Sequence, residues 1–172
     1  GATLPAMQNR VYFLEQEIAR GVEIGTIVFL TGDRMRYTDR ETDQVLPGAD
    51  RCVNEYELAQ LVYEKSHLPK TIPAVFIHAP IYPGISRHVT SRSNLEDTLI
   101  SWGKLQPKAG SALFVTNQPY LLFQRHLVER VLLEHGMSAD CCAAQAGPKT
   151  KLATYLQSLA RWGSWQIQNS TS

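Results

Sequence analysis

Cysteine is scarce: Cys52, Cys141 and Cys142 are the three in 172 residues. An odd, sparse set excludes a disulfide framework, and adjacent Cys141 and Cys142 would point to opposite faces of a strand. No Cys-x-x-Cys occurs and the five histidines are scattered, which argues against a structural zinc site. The expectation is buried or half-buried free thiols. Charge of one sign is missing too. Seventeen Lys and Arg against sixteen Asp and Glu leave a formal net charge of +1, with no electrostatic footprint for nucleic acid. No apolar run approaches the roughly 20 residues of a membrane span, and no basic-then-apolar secretory start is present. Gly-x-Gly-x-x-Gly, a Walker loop, Gly-x-Ser-x-Gly and His-Glu-x-x-His are all absent. There is no internal repeat and no low-complexity segment.

What is present is a normal core composition, 44% hydrophobic and 19% charged, enough for one globular domain. The stretch from Ser111 to Gly136 carries the clearest pattern. Ala112-Leu113-Phe114-Val115 suits a short buried strand. The period then changes. Tyr120, Phe123, Leu127 and Val131, beside Val128 and Leu132, fall on one side of a helix that Gly136 ends. Between them lies the turn Thr116-Asn117-Gln118-Pro119, with the proline expected in the first helical turn. A polar turn from a strand into a helix N-terminus favours an anion.

The same alternation runs along the chain. Thr3 is a candidate cap for a helix with Met7, Val11, Leu14 and Ile18 on one face, stopping at Gly21. No strand precedes it, although the first helix of a doubly wound fold normally follows a central one. Thr26–Thr31 is a strand buried on both faces. A polar loop over 33–53 leads to a helix at Asn54–Lys65, capped by Asn54. Ala74–His78 is the next strand, followed by a polar loop through Ser86–Arg92 and a helix capped by Ser93 or Asn94 that shows Leu95, Leu99 and Trp102. Met137–Ala143 is a weaker strand, Gly147-Pro148 a turn, and Lys149–Arg161 a helix expected to bury Leu152, Leu156 and Leu159. Residues 169–172 form an expected frayed tail after a single domain over residues 1–168. This order predicts an α/β fold: a three-layer Rossmann-like sandwich, its mostly parallel sheet flanked by helices on both faces. The turns at Gly1–Thr3, Thr31–Arg34, Ala79–Pro83 and Thr116–Pro119 are then expected on one rim.

Candidate chemistry concentrates in those turns. Thr31-Gly32-Asp33-Arg34 can hold a phosphate or carboxylate through backbone N–H groups and the Arg34 guanidinium, or be a plain connection. Asp33, Asp39, Glu41 and Asp43 offer hard oxygen ligands, but interleaved Arg34, Arg36 and Arg40 favour a self-neutralised loop, and no metal is expected. His78, ending an apolar strand, can serve as a rim base or as a satisfied core residue. Arg87, His88 and Arg92 form a small basic cluster. Tyr120 can stack on a base or pack, and Arg125 can reach the rim or pair with Glu129.

Taken together, these turns resemble the YdcF-like family, which includes SanA- and ElyC-type envelope proteins. Gly1-Ala2 fits the end of that family's first strand, making the first strand the element missing from this chain. Thr31-Gly32 fits its Ser/Thr-Gly strand end, and Asn54-Glu55 its Ser-Glu helix start. Ser93-Asn94-Leu95-Glu96-Asp97 is similar to the Asn-Thr-x-Glu-Asn segment, and Thr116-Asn117-Gln118-Pro119-Tyr120 stands where Thr-Ser-x-x-His belongs. Tyr120 replaces the family histidine, and Arg125 comes about two residues late. The resemblance implies a bacterial domain of undefined function that binds a nucleotide- or phosphate-like small molecule at the carboxyl edge of the sheet. Its implied ligand-contacting residues are Gly1, Thr3, Thr31, Gly32, Arg34, Glu55, Asn94, Glu96, Thr116, Asn117, Gln118, Tyr120 and Arg125. It implies no required cofactor, with S-adenosylmethionine or another nucleotide-like molecule as ligand, and a cytoplasmic or membrane-anchored setting at the cell envelope. The alternative is a non-catalytic regulatory or envelope-assembly domain that binds a protein partner.

Overall fold

The computed structural model describes residues 2–82, 93–146 and 150–170, without the side chains of 165–170. Gly1, the basic cluster at Arg87, His88 and Arg92, and the Gly147-Pro148 turn lie outside the described residues. The protein is α/β and comprises two compact units, Gly1–Pro107 and Lys108–Ser172.

In the first unit, α1 (Leu4–Ala19) begins after an extended Thr3, with proline in its first turn. The Thr3 side chain makes no capping bond, and Gly21, at φ +97°, turns the chain away. Strand β1 (Ile27–Gly32) pairs in parallel with β2 (Ala74–Ala79), Thr31 opposite His78. Helix α2 (Glu55–Lys65) lies between them in sequence. Its start is fixed by the Asn54 side chain, which accepts the Glu57 N–H at 3.0 Å.

Alternation along β1 sorts its side chains between two faces. On one, Phe29 stacks on Phe76 with ring centroids 4.7 Å apart, and both meet the edge of Tyr63 from α2 at 5.6 Å. Leu4, Met7 and Val11 of α1 and Leu58, Ala59 and Val62 of α2 complete that core. Helix α3 (Leu95–Gly103) packs on both strands, and Gly32, of the opposite parity to Phe29, faces Ser93 just before it. This unit is thus layered, with helices on both faces of a parallel pair, as the sequence pattern predicts.

The second unit is a βαβ element with an added helix. Strand β3 (Gly110–Asn117) runs into α4 (Leu121–Leu133) and then β4 (Met137–Ala144). The strands pair in parallel over eight residues each, from Gly110 opposite Met137 to Asn117 opposite Ala144. Gly136, at φ +67°, makes the reversal between α4 and β4. The weak strand signal at 137–143 is therefore a full partner. Cys52, Cys141 and Cys142 are free thiols, each half-buried.

The last helix differs from expectation. α5 spans Leu152–Ser170, taking in Asn169 and Ser170 from the expected tail. Leu152, Leu156 and Leu159 are not buried; they are 73%, 58% and 51% exposed. The inward side carries Ser158, whose hydroxyl donates to the Pro119 carbonyl at 2.7 Å, and Trp162, whose indole N–H donates to His126 Nε2 at 3.1 Å. An apolar stripe marks a face suited to cover, but periodicity does not say on which side a neighbour lies. Two polar bonds, at positions four apart, decide the orientation of α5.

These placements separate two substitutions of similar chemistry. Phe29→Ala empties a stacked aromatic cluster and is expected to lower unfolding free energy by about 3 kcal/mol. Leu159→Ala should change it by less than about 0.5 kcal/mol. Urea denaturation of both variants checks the contrast.

Candidate functional site

The loop after β1 is held by ions rather than by apolar packing. Arg34 is buried, and every one of its guanidinium N–H groups meets a protein acceptor. Glu41 takes two of them in a bidentate pair, at 2.9 and 3.0 Å. Glu55 accepts from Nε at 3.3 Å, and the carbonyls of Met35 and Ala2 accept at 3.0 and 2.8 Å. The carboxylates are filled in turn. Glu41 also accepts the N–H groups of Leu4 at 2.8 Å and Tyr37 at 2.7 Å, and Glu55 accepts that of Ala2 at 2.8 Å. Two guanidinium groups lie over the Tyr37 ring, Arg34's 4.4 Å and Arg40's 4.0 Å from its centroid. Burial alone would raise the Glu41 carboxyl, but the Arg34 and backbone hydrogen bonds outweigh it and hold it below the ordinary carboxylate value. Arg34 and Glu55, two of the candidate ligand residues, are thereby committed to each other and to the amino end of α1.

The rest of the loop neutralises itself. Asp43 accepts the N–H groups of Gly48 at 3.1 Å and Asp50 at 2.8 Å, and Arg36 pairs with Asp50 at 3.1 Å. Among the described residues no three of His, Cys, Asp and Glu gather as metal ligands.

At the carboxyl end of β1 and β2 a different group assembles. Buried Thr31 donates its hydroxyl to the Ile77 carbonyl across the pair. A Cβ on Gly32 would stand 2.3 Å from Ser93 Oγ, so a side chain there would displace the Ser93 hydroxyl. The Ser93 hydroxyl in turn accepts the Asp33 N–H. His78 is partly exposed, stacks on Tyr56 of α2 at 5.2 Å, and stands 3.8 Å from the Asp33 carboxylate, an ion pair when the imidazole is protonated. Asn94 caps α3 reciprocally: its side chain accepts the Asp97 N–H at 3.1 Å and its own N–H reaches Asp97 at 2.7 Å. Glu96 occupies the first turn of the same helix. Nearby in sequence, the Tyr82 hydroxyl receives a hydrogen bond from Lys104 at 3.0 Å and lies 3.2 Å from Ser101, contacts that lower its pKa.

The remaining candidates belong to the second unit. Thr116 is fully buried and donates to the Gln124 side chain. Asn117 is buried at the end of β3. Gln118 N–H donates to the Ala144 carbonyl at 2.9 Å, and the Gln118–Pro119 peptide is cis. Helix α4 starts at Leu121, so Pro119 stands before it rather than inside its first turn, and Tyr120 takes the cap position with no side-chain cap bond. Arg125 pairs with Glu129 at 2.6 Å on the exposed side of the helix. Burial, with Glu129 beside it, pushes the Cys141 thiol up to about 11, so it stays protonated at neutral pH.

Tyr56 and Ser93 are the contributors that sequence reasoning did not assign to a site. Tyr56 precedes the apolar stripe of α2, and nothing in its spacing announces a stack on His78. From the sequence Ser93 reads only as a cap, although a glycine at a strand end signals close approach by some neighbour. Glu41 reads from the sequence either as a metal ligand or as a member of a self-neutralised loop, and it is the second: the anion that Arg34 holds.

The ion network makes a prediction with a defined sign. Glu41→Gln leaves the buried Arg34 charge without its bidentate partner and is expected to cost about 3–5 kcal/mol of stability. Because the folded Glu41 pKa lies below its ordinary value of 4.5, its contribution is complete above that pH and is lost as pH falls through the folded pKa. Acid titration of unfolding free energy should show this loss in the parent chain and a shallower loss in Glu41→Gln. No family model, curated protein or solved structure matches this chain.

Proposed function

We propose that the protein binds a nucleotide- or phosphate-like small molecule at the carboxyl end of β1 and β2. One observation carries the proposal: His78 leaves an apolar strand partly exposed, braced by Tyr56 at 5.2 Å and facing Asp33 at 3.8 Å. A braced imidazole offers an aromatic face to a base and, when protonated, a positive charge to a phosphate. Carboxyl ends of parallel strands are the usual ligand-binding rim of α/β folds. Arg34 is excluded from direct ligand contact by its filled donors. Asn94 supports the rim as a cap, with its side-chain oxygen already engaged. The resemblance to the YdcF-like family points to the same class of ligand, with S-adenosylmethionine among the candidates and the bacterial envelope as the setting.

A second reading has its own support. The exposed stripe of Leu152, Tyr155, Leu156 and Leu159 on α5 favours a non-catalytic regulatory or envelope-assembly domain that binds a protein partner.

Thermal-shift screening with nucleoside phosphates, sugar nucleotides and S-adenosylmethionine tests the first reading, because a ligand of the folded state raises its melting temperature. The best hit should then bind His78→Ala and Asp33→Asn more weakly by about 1–3 kcal/mol in calorimetry. A blank screen, or unaltered affinity in both variants, removes the rim and leaves the partner-binding reading.

A further inference from the structure

The two side-chain hydrogen bonds that orient α5 respond differently to acid. Ser158 gives its hydroxyl to the Pro119 carbonyl at 2.7 Å, and neither group changes charge with pH. Trp162 gives its indole N–H to His126 Nε2 at 3.1 Å, and imidazole is a titrating group.

An indole N–H is a donor only. His126 Nε2 is therefore the acceptor, and the proton of the neutral ring sits on Nδ1. That nitrogen lies 3.9 Å from Glu129 Oε2, three residues along α4. A second proton must go to Nε2. It converts the acceptor into a donor facing another donor, and the Trp162 bond is lost. The same proton gives the ring a positive charge, which the Glu129 carboxylate attracts. Protonation thus strengthens the tie of His126 to its own helix and ends its tie to α5. The ring is half-buried, so protons reach it from solvent while the fold is intact.

The surrounding charges leave this exchange in place. Among the described elements, β3, β4 and α5 pack against α4. β3 carries no titratable side chain, β4 carries Asp140, Cys141 and Cys142, and α5 carries Tyr155 and Arg161. On α4 itself stand Arg125, Glu129 and Arg130. Arg125 pairs with Glu129 at 2.6 Å through Oε1, and Oε2 is the oxygen nearer His126. Cys141 stays protonated and uncharged. Asp140, Tyr155 and Arg161 are exposed, where water and salt screen them.

We propose that His126 is a pH-operated latch on α5. Neutral, it holds the Trp162 turn against α4. Protonated, it turns to Glu129 and lets that turn go, while the Ser158 bond keeps the first part of the helix in place. The released form binds the proton better, so the latch is closed at higher pH and opens as pH falls. The global fold stays intact, and the bistable element is the later part of α5.

Hydrogen exchange across α5 tests the latch, expressed as protection factors to remove the intrinsic effect of pH. It is measured at about pH 8 and about pH 5, which span the charge change of ordinary imidazole. Protection at the Trp162 and Ser164 amides should fall roughly tenfold at the lower pH, the worth of one hydrogen bond, while that at Ser158 is kept. His126→Gln puts a carbonyl oxygen near Nε2 that accepts the indole N–H and does not titrate. Its protection should be the same at both pH values. A fall of equal size in His126→Gln overturns the proposal, and so does protection in the parent chain that ignores pH. If His126→Gln loses its native circular dichroism, the parent chain is titrated by nuclear magnetic resonance. The Trp162 indole N–H and the His126 ring should then shift with one midpoint. Separate midpoints, or an indole signal that does not move, overturn the latch.

Discussion

The first unit depends on one buried guanidinium. Arg34 draws the start of α1, the long loop after β1 and the start of α2 to a single point through Ala2, Glu41 and Glu55. Removing three ions from water costs several kcal/mol each, and even a well-made network offsets that only when its hydrogen bonds are filled. Here they are. No buried polar side-chain atom among the described residues lacks a partner. Such a network adds little net stability over an apolar filling of the same shape. Its effect is on position: the fork geometry of arginine allows one arrangement of the two carboxylates, and each carboxylate fixes a stretch of backbone.

That commitment redistributes the chemistry of the rim. An arginine two residues past a strand end, beside Thr31 and Gly32, has the sequence appearance of an anion ligand. Its donors are already spent on Glu41, seven residues on, and Glu55, twenty-one residues on. Among the described residues, His78 and Asp33 are accessible polar groups at that end. They sit together because Thr31 pairs with His78 in the sheet register and Asp33 follows two residues later. Gly32 helps indirectly, since its missing side chain lets Ser93 close on the turn and receive the Asp33 N–H.

The sequence made the elements legible and left their partners hidden. Strands β1 and β2, the Asn54 and Asn94 caps and the Gly21 and Gly136 stops could be read because each depends on a few adjacent residues. β4 reads faintly on its own because Ser138, Asp140 and two cysteines dilute its apolar pattern, yet its pairing with β3 holds it through eight residues. Long-range choices carried no local signal. Interleaved arginines favour a self-neutralised loop, but nothing in spacing pairs Glu41 with Arg34 in particular, or says that Tyr56 backs His78. The α5 leucines show the limit most clearly. Their period marks a face, while the bonds of Ser158 and Trp162 place that face outward.

Among the described residues, α5 leaves apolar surface exposed, whereas β1 leaves the backbone groups of one edge without a strand partner, which is physically different. The α5 stripe is non-directional: any apolar neighbour of suitable shape would cover Leu152, Leu156 and Leu159, because hydrophobic burial rewards area and not orientation. The edge of β1 is directional. A strand there would have to present backbone acceptors and donors in the spacing that Val28 and Leu30 require. The ion network that denies Arg34 to a ligand also fixes the amino end of α1 beside the loop that follows β1.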